Sequence, residues 1–159
     1  MDREEIISKI KNMYIMLLYS ITKEDINRVR QYLSDELIQH YQEQIEYNIK
    51  NNVIQKYGEL NVSKVDIVSM DNNFIVANII VKYIDYKIDR NTKKFKEGDT
   101  TRSSHNVIIK VKYQEQNKEL VYRCSNCGAT LNINFTSICS YCGVPLEDSN
   151  SLYVIESID

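Results

Sequence analysis

Glycine and proline are scarce in this chain, and that scarcity limits the structures it can adopt. The 159 residues include only four glycines and one proline. Because these residues commonly end helices and strands, their scarcity predicts long, uninterrupted elements. Gly128, Gly143 and Pro145 all fall in one short C-terminal stretch that also contains every cysteine. The body of the chain and this stretch therefore need separate interpretations.

Helical periodicity dominates the first third of the chain. Apolar residues recur three and four positions apart from Ile6 to Ile21, which predicts a long amphipathic helix. Thr22, followed by acidic residues, resembles an N-cap and predicts a short second helix through Leu33. Ser34 repeats the signal and predicts a third helix that ends near Gly58. The apolar stripe of that third helix comprises Leu37, Ile38, Tyr41, Ile45, Ile49 and Val53.

After Gly58 the apolar period changes to two, which is typical of strands. Residues 71–73 predict a turn, and the run 74–86, apolar on both faces near its middle, predicts a long central strand. A polar connection at 89–104 leads to the last predicted strands, at 107–113 and 152–158. Helices first and antiparallel strands afterwards favour an α+β fold in which helices cover one face of a curved sheet.

Four cysteines form the most specific motif in the chain. Cys124 and Cys127 belong to one C-x2-C-G sequence, and Cys139 and Cys142 belong to a second after an eleven-residue spacer. Zn²⁺ prefers four tetrahedral thiolates, and a C-x2-C turn presents two sulfurs to one ion. The glycine after each pair suits a sharp turn with positive φ. These cysteines are therefore our predicted zinc ligands.

Other uses of the cysteines fit the sequence less well. Disulfides belong to oxidising compartments, and a redox pair expects a single C-x2-C motif beside a βαβ unit. Iron in an all-thiolate site stays open as an alternative metal. Four protein ligands leave no position for water, so the expected role is structural. Histidines 40 and 105 lack the spacing of ligands, and His40 is expected on a solvated helix face.

Charge argues against nucleic acid as the partner. The chain carries 20 basic and 22 acidic residues, and no charged residue lies between Cys124 and Leu146. Binding to phosphates needs lysine and arginine. Because this segment is neutral and partly apolar, we expect it to dock on its own sheet or on a protein partner.

The apolar run at residues 13–19 is too short to cross a bilayer and lacks a secretory cleavage site. We therefore expect a cytoplasmic protein, with peripheral contact at the inner face of the membrane as an option. Lys9 and Lys11 would suit a helix lying on a membrane, but Glu4 and Glu5 dilute that charge. Packing of this helix against the sheet or a partner is the favoured interpretation.

The body of the chain resembles the Tim44-like domain, found in the docking subunit of the mitochondrial import motor and in many bacterial proteins. The resemblance rests on YLSDEL at residues 32–37, IDYKID at residues 84–89 and the pair Gly98-Asp99. It implies a cone-shaped nuclear-transport-factor-two-like (NTF2-like) fold and a binding or scaffolding role, often at a membrane. Some bacterial members resemble this chain further in carrying a C-x2-C-G zinc ribbon near the last strands. The tryptophan that the family commonly has in its late strands is absent here.

Together these observations predict one α+β domain over residues 1–159, with a zinc ribbon inserted at 121–147. We expect a bacterial, non-catalytic interaction or scaffolding module that binds a protein or lipid partner. The alternative is a small cone-fold isomerase or dehydratase that uses Asp85, Asp89 or His105, with Asp99 nearby, in a cavity. The competing interpretation is that these aspartates satisfy backbone donors at a strand end and a turn.

Overall fold

The computed structural model describes residues 3–113, 121–123, 126–132, 141–143 and 153–159. Within these residues two α-helices come first, α1 (Arg3–Thr22) and α2 (Asp35–Lys50), joined through 3₁₀ turns at Ile26–Arg28 and Arg30–Tyr32. The strands of the described part are β1 (Val53–Met70), β2 (Phe74–Asp89), β3 (Phe95–Gly98), β4 (Ser103–Tyr113), β5 (Val121–Arg123), β6 (Thr130–Asn132) and β7 (Tyr153–Ile158).

The main sheet is antiparallel and has the order β1-β2-β4-β7. β2 lies at its centre because it pairs with β1 along one edge and with β4 and the short β3 along the other. This confirms the predicted central strand and the α+β arrangement of N-terminal helices and an antiparallel sheet. At the end of β4, Tyr113 pairs with Tyr153 of β7, and the two rings stack with centroids 6.3 Å apart.

The hydrophobic core joins α1 to one face of this sheet. Ile6, Ile10, Met13 and Leu17 of α1 are at most 2% exposed, as their helical spacing requires. Alternate residues of three strands complete the core: Ile75, Ala77, Ile79, Val81, Ile109, Val111 and Ile155, all 0% exposed. Each large apolar side chain buried in this way contributes roughly 1.5–3 kcal/mol. The amphipathic pattern of the first helix is therefore explained by packing against the sheet.

The prediction that Thr22 caps a second helix is wrong, because Thr22 is the last residue of α1. Asp25 N donates to the Ser20 carbonyl at 3.0 Å and Glu24 N donates to the Ile21 carbonyl at 3.1 Å. Glu24 has a positive φ of 57°. This pattern is a Schellman motif, which ends a helix. Only the two 3₁₀ turns follow, although the apolar residues predicted for this face, Ile26, Val29 and Leu33, are buried.

Ser34 caps α2 as predicted, since its Oγ accepts a hydrogen bond from Leu37 N. The predicted end of this helix near Gly58 is wrong, because α2 ends at Lys50. Asn52 adopts a left-handed conformation with φ 59°, which asparagine tolerates better than most residues and which a helix cannot continue through. Val53 is buried at the start of β1, whereas Ile49 is 51% exposed.

The sheet also differs from the prediction in extent. β1 starts at Val53 and contains three register shifts against β2, between Gly58 and Asn61, Val62 and Lys64, and Ile67 and Ser69. Such bulges bend a strand and increase its twist. The polar connection at 89–104 contains β3, which was not predicted, and its Phe95 is 52% exposed.

Candidate functional site

Asp85, a candidate acid or base, is held by a neutral amide. Gln55 of β1 donates from Nε2 to Asp85 Oδ1 at 2.6 Å, to the Lys56 carbonyl at 3.0 Å and to the Tyr86 carbonyl at 3.2 Å. The backbone carbonyl of Asp85 accepts from Asp99 N at 2.7 Å. The contacts of Asp85 thus connect β1, β2 and the end of β3.

Asp89 serves as a turn cap. It is the last residue of β2, and its Oδ1 accepts from Thr92 N at 2.8 Å and from Asn91 N at 2.9 Å. These two backbone donors hold the pKa of the Asp89 carboxyl below its usual range. A carboxylate stabilised in its charged form is a poor general acid. The structure therefore confirms the interpretation of Asp89 as a residue that satisfies backbone donors at a strand end.

His105 lies beside an aromatic group. Its ring stacks on Tyr83 with centroids 4.1 Å apart and an angle of 9°, and its Nε2 is 3.0 Å from Ser103 Oγ. Tyr83 in turn meets Tyr57 edge to face at 5.1 Å. His40 is exposed on α2, as predicted, and its Nε2 is 3.2 Å from Gln44 Nε2.

A cluster of four tyrosines, Tyr14, Tyr41, Tyr57 and Tyr83, was not predicted as a unit. Burial raises the pKa of all four phenols above the usual value, and the proximity of Tyr83 adds to the effect on the other three. The phenols are therefore neutral at physiological pH. Twelve tyrosines without a tryptophan were the available signal in the sequence.

A polar cleft separates α2 from the ends of β1 and β2. Its volume is about 430 Å³, and its lining includes His40, Glu43, Asn48, Gln55 and Lys87. Asn48 is only 6% exposed. The ammonium of Lys87 lies 5.5 Å from the ring centroid of Tyr47, also on the cleft wall. The cleft therefore joins residues far apart in the chain, and the Gln55 contact links it to Asp85.

The cysteine segment is described in part. β5 pairs with β6, so the first C-x2-C-G sequence falls in the connection of a short hairpin. Cys127 and Cys142 are exposed, whereas Cys124 and Cys139 lie outside the described residues. In the described ranges no group of three or more histidine, cysteine or acidic side chains is arranged to hold a metal. That search did not include two of the four predicted ligands, so the zinc prediction remains untested.

A model of the Tim44-like domain family matches residues 1–114. The chain belongs to this family, and the resemblance carried by residues 32–37 and 84–89 is confirmed. A search of curated proteins found no significant match. The family assignment indicates a non-enzymatic protein-interaction module. Among the described helices, none combines the length and apolar character needed to cross a bilayer.

Proposed function

We propose that the chain is a non-catalytic interaction module of the Tim44-like family in which Cys124, Cys127, Cys139 and Cys142 bind one structural Zn²⁺. The zinc ribbon spans residues 121–147 as an insertion within a single domain of residues 1–159. The module recruits a protein partner, with lipid contact as a secondary property. We place it in the cytoplasm of a bacterial cell, in peripheral contact with the inner face of the membrane at most.

The observation that carries the zinc proposal is the backbone at the two C-x2-C-G sequences. Gly128 has φ 73° and Gly143 has φ 76°, and each directly follows the second cysteine of its pair. A Cβ at either glycine would meet no atom within 4 Å. Conformation, not crowding, therefore explains why glycine suits both positions. The same turn recurring after each cysteine pair supports two equivalent metal-binding knuckles.

The β5–β6 hairpin supports the same proposal. Arg123 pairs with Thr130, so the chain leaves β5 just before Cys124 and returns shortly after Gly128. A C-x2-C sequence in such a connection can present two sulfurs to one ion, as a tetrahedral site requires. A zinc ion with four thiolates carries two negative charges, and the absence of basic residues between Cys124 and Leu146 argues against phosphate binding.

The bulged β1 supports a strongly curved, NTF2-like sheet, since each bulge bends the strand. The enzyme alternative ranks second. Asp85 and His105 both lie near Tyr83: His105 stacks on its ring, and burial, followed by the nearby Asp85 charge, raises the pKa of its phenol. However, Asp85 already accepts from Gln55, and Asp89 is engaged in its turn. An interaction role therefore explains more of the arrangement.

Metal analysis of the purified full chain tests the zinc proposal. We expect one zinc per chain, lost in a Cys127→Ser/Cys142→Ser variant and retained in a Ser125→Ala/Ser140→Ala control, which changes residues inside the same two motifs. A strong chelator should remove the metal and destabilise the C-terminal segment, because metal binding and folding are coupled in such sites. Wild-type protein without zinc, or with a disulfide in its place, would refute the proposal.

The interaction role is tested by purifying the protein from native lysate, identifying what accompanies it and repeating the binding with purified components. We expect a protein that binds the wild type and binds the double cysteine variant more weakly. Turnover of an added substrate by purified chain, lost on Asp85→Asn substitution, would instead favour the enzyme alternative.

A further inference from the structure

The cleft between α2 and the β1–β2 pair is lined by the amide of Asn48, a largely buried residue. Asn48 is 6% exposed, and in the described part of the chain its side chain makes no hydrogen bond. Ser20, another buried polar residue, donates to the Met16 carbonyl at 2.7 Å. Asn48 is not among the described side chains with a fully buried, unpaired polar atom, which are Asn78 and Arg90, so its amide keeps contact with the open cleft. The Asn48 amide is therefore available to a ligand in the cleft.

The cleft also contains a cation without an acidic partner. Among the described residues, no carboxylate lies within 4.0 Å of Lys87 Nζ, whereas Lys64 is 3.3 Å from Asp66. Opposite Lys87 in the β1–β2 pair is Gln55, whose Nε2 is already engaged by Asp85 and two carbonyls. The remaining polar atom of Gln55, Oε1, is an acceptor. Each wall of the cleft thus offers one donor and one acceptor: Lys87 and Gln55 on the β1–β2 pair, and Asn48 and Glu43 on α2.

The charges on the cleft wall restrict the ligand. Lys87 contributes one positive charge and Glu43 one negative charge, so these two charges of the lining offset each other. A phosphate dianion would find one cation and a repelling carboxylate. A molecule with one group of each sign matches the lining better. The volume of about 430 Å³ lies within the usual range for small-ligand sites.

From these contacts we propose that the cleft binds a small zwitterion of the α-amino acid class. The carboxylate of the ligand contacts Lys87 Nζ and Asn48 Nδ2. Its ammonium group contacts Gln55 Oε1 and the Glu43 carboxylate. This site goes beyond the zinc-dependent interaction role and requires no metal.

Saturation-transfer NMR and titration calorimetry on the full chain test the proposal with the common L-α-amino acids as probes. Derivatives of the best probe, one acetylated at the amine and one amidated at the carboxylate, serve as chemical controls. We expect at least one amino acid to bind, and each blocked derivative to bind at least about tenfold more weakly, because each loses a charge-assisted contact. Equal binding of the blocked derivatives, binding of neutral sugars in place of amino acids, or no binding at millimolar concentration would overturn the proposal.

Substitutions locate the binding in the cleft. Lys87→Met should weaken it at least about tenfold, whereas Lys82→Met, an exposed lysine of the same strand outside the cleft lining, should leave it unchanged. Asn48→Asp keeps the side-chain shape but places a negative charge beside the ligand carboxylate, and should abolish binding. If Asn48→Asp does not fold, the two lysine variants still decide the question. Binding insensitive to Lys87→Met would exclude this site.

Discussion

Replacing Arg90 should destabilise the domain by about 2 kcal/mol, because Arg90 joins the end of α1 to the sheet. Its Nη1 and Nη2 donate to Glu24 Oε1 and Oε2 at 2.6 and 2.7 Å, and Nη2 also donates to the Val53 carbonyl at 2.7 Å. The side chains of Arg90 and Glu24 are 26% and 17% exposed. Loss of one partner costs about 3–5 kcal/mol for a buried pair and at most about 1 kcal/mol for an exposed pair. Arg90→Met falls between these limits.

Urea unfolding followed by circular dichroism measures this loss, and the melting temperature should fall by about 4–8 °C in parallel. Arg28→Met is the matched control. Arg28 Nε is 3.3 Å from Asp25 Oδ2, but these side chains are 52% and 45% exposed, so the expected loss is below about 0.5 kcal/mol. A double-mutant cycle with Glu24→Gln should give a coupling of about 1 kcal/mol or more. If Arg90→Met cost no more than Arg28→Met, the proposed role of this contact would be refuted.

Two further predictions concern turns. Backbone donors lower the pKa of Asp71 and Asp89, so the stability they contribute is present above the unfolded pKa of about 3.9 and lost as the pH falls through the folded value. The melting temperature of an Asp71→Asn/Asp89→Asn variant should therefore decrease less between about pH 5 and pH 2 than that of the wild type. An equal decrease in both proteins would contradict the role of these two carboxylates as turn caps. Gly98→Ala should cost at least about 2 kcal/mol in urea unfolding, because Gly98 has φ 117° and the new Cβ would lie 2.5 Å from the Asp85 carbonyl oxygen. Gly128→Ala, with no atom within 4 Å of its Cβ, should cost less, and equal losses would argue against the steric reason.

Elements whose signals are local could be predicted from the sequence. The apolar period of α1, the Ser34 cap and the turn at Asp71 each depend on residues a few positions apart. The end of α1 could not be predicted, because Thr22 and the acids after it also match an N-cap. Glu24 occupies a position where glycine is usual, and its carboxylate binds Arg90, which lies far along the chain.

The end of α2 was ambiguous for a different reason. Val53 fits both the helical stripe and the first inward position of a strand, so hydrophobicity does not distinguish the two. Asn51 and Asn52, directly before Val53, were the better signal for the end of the helix, because Asn52 adopts a positive φ. The polar cleft was not predictable at all, because Asn48 and Lys87 are brought together only by the packing of α2 near β2. The cysteine motif is visible in the sequence alone, and the zinc site that it predicts stays a prediction.

The pairing of Tyr113 with Tyr153 has a consequence for how the chain can vary. The polypeptide leaves β4 and enters β7 at opposed positions of one antiparallel pair, which lie about 5 Å apart. A different segment whose two ends lie about 5 Å apart can replace the sequence between Tyr113 and Tyr153 without changing the register of β4 and β7. The sheet thus provides a permissive insertion point, where a short reverse turn or an entire accessory module can be exchanged.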